Sequence, residues 1–170
     1  HVCKLRDDKH RRAFSETLAE QLEGDLPKVV TGYLIQELQA VAGKEVVGAL
    51  GKLLHDKKLY EHAALALTSI GGDGAAEQFR DALPRARGKR RLTILLSLGV
   101  LRDATSVKAL KKAVGSKEQE TRLITVWALA NIGDAGSVDL LLKAADTEDA
   151  YERIKSTHAC LILAENLLAS

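Results

Sequence analysis

Apolar positions recur along this chain at a fixed step of 31 residues. Leu67, Leu98, Leu129 and Cys160 keep that step, as do Ile70, Leu101, Ile132 and Leu163. Phe79, Leu110 and Leu141 form a third column, and Arg91, Arg122 and Arg153 a fourth. A single insertion or deletion would break such a comb, so units of one design are stacked in tandem. Each unit of such an array buries its apolar face on its neighbours.

Within each unit the spacing is helical. Val47, Leu50, Leu53 and Leu54 sit at offsets 0, 3, 6 and 7, and the pattern returns at Ala76, Phe79, Ala82 and Leu83. It returns again at Val107, Leu110, Ala113 and Val114, and at Val138, Leu141, Ala144 and Ala145. Those offsets place one stripe on one helix face. Five helix pairs are predicted. The first helices (A) cover 10–23, 44–54, 73–84, 104–114 and 135–145; the second helices (B) cover 27–42, 58–70, 88–101, 118–132 and 149–168. The pairs run over about 10–42, 44–70, 73–101, 104–132 and 135–168 of a single 1–170 repeat domain. The first pair is out of phase by two residues, as suits an end unit that caps a stack. Gly71 and Gly133 fit the left-handed position that closes a helix. Asp103 and Asp134 fit N-caps, where a carboxylate accepts orphan backbone N–H groups. Pro27 and Pro84 fall where helices start or stop.

The sequence TRLITVWALANIGDAGSVDLLLKAAD resembles a HEAT repeat of the short, phycobilisome-lyase-like type. The B helix of that family carries Arg, then small or apolar residues at +3, +4, +6 and +7, then Ile-Gly-Asp. Here those are Arg122, Thr125, Val126, Ala128, Leu129, Ile132, Gly133 and Asp134. The unit at Arg91 matches at Ile94, Leu95, Ser97, Leu98 and Leu101 but lacks the glycine, reading Leu101-Arg102-Asp103. The unit at Tyr60 lacks the Arg but keeps Ala63, Ala64, Ala66, Leu67, Ile70 and Gly71. The resemblance covers about residues 26–168. It implies an all-α fold, a right-handed α-α superhelix of HEAT-like or armadillo type. For function it implies little, because such arrays serve many roles. More loosely, the chain is similar to HEAT segments of large bacterial extracytoplasmic proteins, and that likeness alone suggests a compartment.

Composition agrees with helices: Ala, Leu, Gly, Lys and Glu dominate and aromatics are 4%. The formal net charge of +2 lacks the basic footprint of a nucleic-acid binder. No run of 18 apolar residues offers a membrane span. The chain opens on His1 rather than Met, and is expected to be a segment of a longer protein. Cys3 and Cys160 are too few for a disulfide framework, and Cys160 is expected to fill a core slot as a small hydrophobe.

Candidate chemistry is sparse. The histidines (His1, His10, His55, His62, His158) have no i, i+4 pairing and no converging third ligand, so neither metal nor cofactor is expected. Carboxylate groups such as Asp7 and Asp8, or Asp146, Glu148 and Asp149, lie where helices start and read as caps. No nucleophile–base set or phosphate loop can be assembled, so no catalytic residue is assigned and the chain is read as non-enzymatic. The Arg column (Arg91, Arg122, Arg153) is expected to pair with the turn carboxylates Asp103 and Asp134, fixing register between units. The basic turn from Pro84 to Arg91 is expected to be solvated.

One face stands out. Counted from the Arg slot at 100° per residue, positions +2, +5 and +9 of each B helix point away from the core. At +5 stand Leu65, Leu96, Trp127 and His158; at +2, His62, Thr93, Ile124 and Lys155; at +9, Ser69, Val100, Asn131 and Ile162. In HEAT arrays the B helices line the concave surface, so a half-apolar groove is expected there. Leu65, Leu96, Ile124, Trp127, Asn131, His158 and Ile162 would bind a protein partner, an adjacent domain or a second copy of the chain. Three readings remain open. The first is a non-enzymatic interaction scaffold. The second is a bilin-lyase-like accessory or enzyme subunit that stacks a flat ligand on Trp127. The third, an array that binds nucleic acid, would need a basic face, and this face carries only Lys155 and two histidines.

Overall fold

The computed structural model of the chain describes residues 8–169; His1, Cys3 and Asp7 lie outside them. The described residues form ten α-helices and no strand. They divide into two compact units, residues 1–86 and 87–170.

The first unit holds α1 (Asp8–Leu22), α2 (Lys28–Val41), α3 (Val47–Leu53), α4 (Tyr60–Ile70) and α5 (Gly72–Ala82). Here α2 packs on α4, and α3 packs on both α4 and α5. Its core is Ile35, Leu38, Leu50, Leu54, Leu67 and Phe79, each 0% exposed. The second unit holds α6 (Gly88–Val100), α7 (Val107–Ala113), α8 (Gln119–Ile132), α9 (Val138–Ala145) and α10 (Ala150–Leu168). The B helices α6, α8 and α10 pack in sequence, while α7 and α9 form hairpins with α8 and α10. Leu95, Leu98, Leu110, Leu129 and Leu141 are 0% exposed.

Two of the columns read from sequence pack almost throughout, whereas Ile70, Leu101 and Ile132 of another are half-buried. Leu67, Leu98 and Leu129 are wholly buried, and so are Phe79, Leu110 and Leu141. A fully buried Leu or Phe side chain is worth about 1.5–3 kcal/mol relative to exposure. Apolar burial, rather than helix propensity, thus holds these short helices. All ten predicted helices are present. The A helices α3, α7 and α9 are shorter than expected, because each is entered through a 3-10 turn (Lys44–Val46, Ala104–Ser106, Ala135–Ser137). Buried Thr125, where α6 has Ile94, satisfies its hydroxyl by donating to the Thr121 carbonyl at 2.6 Å, one turn back.

Three local expectations need correcting. Gly133 closes α8 in the left-handed conformation (φ 79°, ψ 29°), but Gly71 at the equivalent place has ψ −166° and is not left-handed helical. The unit without glycine keeps the left-handed turn anyway, with Arg102 at φ 51°. Asp103 and Asp134 occupy the N-cap positions, yet neither carboxylate caps a backbone N–H. The chain leaves each of them in a 3-10 turn, so the N–H groups are not yet in α-helical register. Asp134 instead accepts from Ser137 Oγ at 2.6 Å and pairs with Lys111 Nζ at 2.8 Å. The cap that does form is Asp149, which accepts from the Glu152 N–H at 2.8 Å.

Candidate functional site

The expected arginine ladder does not form with the aspartates. Arg122 makes a two-point pair with Glu152, through Nε and through Nη2 at 2.9 Å, and its Nη1 donates to the Ser116 and Lys117 carbonyls. Geometry explains the difference. Helical side chains lean back toward the helix N-terminus, so Arg122 reaches the loop before α8. Asp134 lies 12 residues further on, beyond the helix end, about 18 Å away at 1.5 Å per residue. Glu152 sits one turn into α10, beside the start of α8, and the Arg122 hydrogen bond holds its carboxyl below the usual range. Arg153 is exposed and donates to the Thr147 and Glu148 carbonyls. Arg91 is half-buried. Arg122 and Arg153 thus clamp the loops that precede their B helices, and Arg122 is also tied to the Glu152 carboxylate.

The +5 column behaves as an outer face. Leu65, in the first unit, is 60% exposed; Leu96 in the second unit is 42% exposed and His158 is exposed. Trp127 is half-buried, and the reason is local. Its ring lies over Gly99, where an added Cβ would meet Trp127 Cζ3 at 2.9 Å. The Cζ3 edge of the indole is packed against α6, and the residue as a whole stays partly exposed. Ile124, Asn131 and Ile162 are also half-buried, and Val100 is 51% exposed. Asn131 turns its amide back to its own helix, donating to the Trp127 carbonyl at 3.0 Å. In the second unit Leu96 stands on α6, Ile124, Trp127 and Asn131 on α8, and His158 and Ile162 on α10, three helices that pack in sequence. Leu65 belongs to the first unit and is described with it.

Cys160 is half-buried rather than a full core residue, and burial pushes its thiol up. It lines a small apolar slot of about 200 Å³ with Val138, Leu142, Leu163 and Leu167. Among the described residues no three His, Cys, Asp or Glu side chains converge as metal ligands, and no helix is long and apolar enough to cross a membrane.

Sequence reasoning missed two features. One is a cleft of about 580 Å³ among α7, α8, α9 and α10, with Val114, Val126 and Leu140 in its wall and Lys111, Lys112 and Lys143 around it. The column analysis compared equal slots and so did not see a space between unlike helices. The other is the exposure of Tyr151, Ile154 and Leu161 on α10, which a count of threes and fours within that helix would have signalled.

Residues 86–160 match the family described as HEAT repeats. No curated protein matches the chain. Among solved structures, the chain is similar to the crystal structure of an engineered protein from a structural genomics consortium. The two are 22% identical, the TM-score is 0.53, and the match covers 91% of this chain and 81% of that one. At that identity the likeness concerns the fold alone. The helical architecture and the 31-residue packing columns are those of an α-solenoid fold, and residues 86–160 are similar to a run of HEAT repeats.

Proposed function

We propose that this chain is a non-enzymatic interaction scaffold whose second unit presents the outer face of its B helices to a protein partner or an adjacent domain. Leu96, Ile124, Trp127, Asn131, His158 and Ile162 form that face. The observation that carries the reading is the state of Trp127. It stays partly exposed beside Leu96 and Val100, which are 42% and 51% exposed. Water-facing slots of a B helix have no packing reason to be apolar. A contiguous apolar patch marks an interface, and a half-anchored indole is the commonest kind of hot spot. Lys155 is the one cation in these slots, so the face suits an apolar or mixed protein surface better than a polyanion.

The test uses random helical peptides displayed on phage and panned on the whole chain. Selected peptides are then titrated by calorimetry against the wild type, Trp127→Ala and Leu65→Lys. Trp127→Ala is expected to cost about 2 kcal/mol, about 30-fold in Kd. Leu65→Lys, in the other unit, reports separately whether that +5 position takes part in binding. Peptides that bind Trp127→Ala as tightly as the wild type would refute this face as the binding surface. A bilin-type pigment that binds the wild type while no peptide does would replace the scaffold with the flat-ligand reading.

A further inference from the structure

The longest helix among the described residues, α10, carries an uncovered seam with coiled-coil spacing. Tyr151, Ile154, His158, Leu161, Glu165 and Leu168 follow one another by alternating steps of three and four. Tyr151 is 57% exposed, Ile154 66%, Leu161 59% and Leu168 89%, and His158 and Glu165 are exposed as well. That alternation averages 3.5 residues, the spacing that keeps a seam in line when two helices wind around each other.

The equivalent face of α6 and α8 is partly covered, with Gly99 and Ala130 buried and Leu96 42% exposed, and its closest approach limits what can cover α10. Gly99, Ala130 and Leu161 share one slot, 31 residues apart. Gly99 and Ala130 are buried, and a Cβ on Gly99 would lie 2.7 Å from Ala128 Cα. A helix that approaches as closely as α8 approaches α6 needs a residue no larger than Ala in that slot. Leu161 denies that approach, so the seam is not the docking face for one more repeat at the same spacing. A helix that interdigitates with Leu161 from farther out meets no such obstacle.

We infer that the seam pairs with α10 of a second copy of the chain, antiparallel, across a two-fold axis that passes between His158 and Leu161. Charge sets the direction. The exposed ions of the N-terminal half of α10 are Arg153 and Lys155, and that of the C-terminal half is Glu165; Glu152 is already held by Arg122. Antiparallel pairing brings Lys155 level with the Glu165 turn of the second copy and sets Tyr151 opposite Leu168. Parallel pairing would place Lys155 beside Lys155 and Glu165 against Glu165. The antiparallel contact is self-complementary and closes, as a two-fold interface must. It shares only His158 with the face assigned to a partner and does not depend on that assignment.

Sedimentation velocity on the full chain tests this up to about 100 µM, a range in which even weak self-association registers. The wild type is expected to show a concentration-dependent dimer. Leu161→Lys is expected to be monomeric with unchanged helicity by circular dichroism, and Leu65→Lys to dimerise like the wild type. Lys155→Glu and Glu165→Lys alone are each expected to weaken the dimer about tenfold, and the two together to restore it. A wild type that stays monomeric overturns the inference. So does association indifferent to Leu161→Lys, and a charge-swapped double variant as weak as the single ones overturns the antiparallel pairing.

Discussion

Two glycines should answer the same substitution with opposite signs. Gly99 lies in α6, buried. An alanine methyl there would sit 2.7 Å from Ala128 Cα, 2.8 Å from Ala128 Cβ and 2.9 Å from Trp127 Cζ3. Carbon atoms prefer about 3.5–4.0 Å, so α8 must retreat by about 1 Å. The obstacle includes main chain, which no rotamer change can relieve. Overpacking of this kind costs about 1–3 kcal/mol. The gain from Ala over Gly in a helix, about 1 kcal/mol, offsets part of it. The net expectation for Gly99→Ala is a loss of up to about 2 kcal/mol. Gly48, in α3, is exposed, and an added Cβ would meet nothing within 4 Å. Gly48→Ala keeps the whole propensity gain and should raise stability by about 1 kcal/mol. Urea unfolding followed by circular dichroism measures both. Fluorescence of Trp127, the only tryptophan, gives a second readout, because Gly99→Ala pushes directly on its ring. If Gly99→Ala is as stable as Gly48→Ala and its emission is unmoved, the close approach of α6 and α8 is wrong.

Other outcomes follow from single contacts. Arg122→Ala should cost about 1–2 kcal/mol, since it removes a two-point ion pair and two carbonyl bonds at a partly exposed site; a double-mutant cycle with Glu152→Gln should show coupling, and additive losses would contradict the pairing. The Glu152 and Asp134 carboxyls are held low, by hydrogen bonds from Arg122 and from Lys111 respectively. Below about pH 4–5 the unfolded chain binds protons first, so their stabilisation is complete above that range and is lost as pH falls through the lowered folded values. Glu152→Gln should therefore lose less stability between neutral pH and about pH 3 than the wild type does. Arg102 holds φ 51°, so Arg102→Gly should be more stable than Arg102→Ala by about 1 kcal/mol. Both variants lose the bond to Asn166, so that bond cancels in the comparison, and equal melting temperatures would show that the turn carries no strain.

The fold was legible because the 31-residue comb is a packing register: Leu67, Leu98 and Leu129 must all be buried if units repeat, and they are. Exposure follows the outward slots only in part: Leu65, Leu96 and His158 are exposed, whereas Ile124, Trp127, Asn131 and Ile162 are half-buried against neighbouring helices that a single-helix count leaves out. What the comb could not give were the departures from it. The Arg122 partner depends on which helix end the side chain leans toward, and Glu152 falls in no column. The left-handed turn at Arg102 persists without glycine because the flanking helices α6 and α7 dictate it, overriding a local preference. The seam of α10 arises where the pattern changes: Leu161 stands in a slot that Gly99 and Ala130 fill elsewhere. Column averaging hides such a substitution, although it changes what can dock there. Cys160 is the same lesson in reverse, a core-column residue left half-open on the last helix.

Acrylamide quenching of Trp127, with and without a peptide selected on this chain, tests the interaction face most directly. The account predicts quenching in the free protein to an extent between that of a sealed indole and that of free tryptophan, and protection when the peptide binds. An indole inaccessible in the free protein, or one equally exposed in the complex, would contradict it.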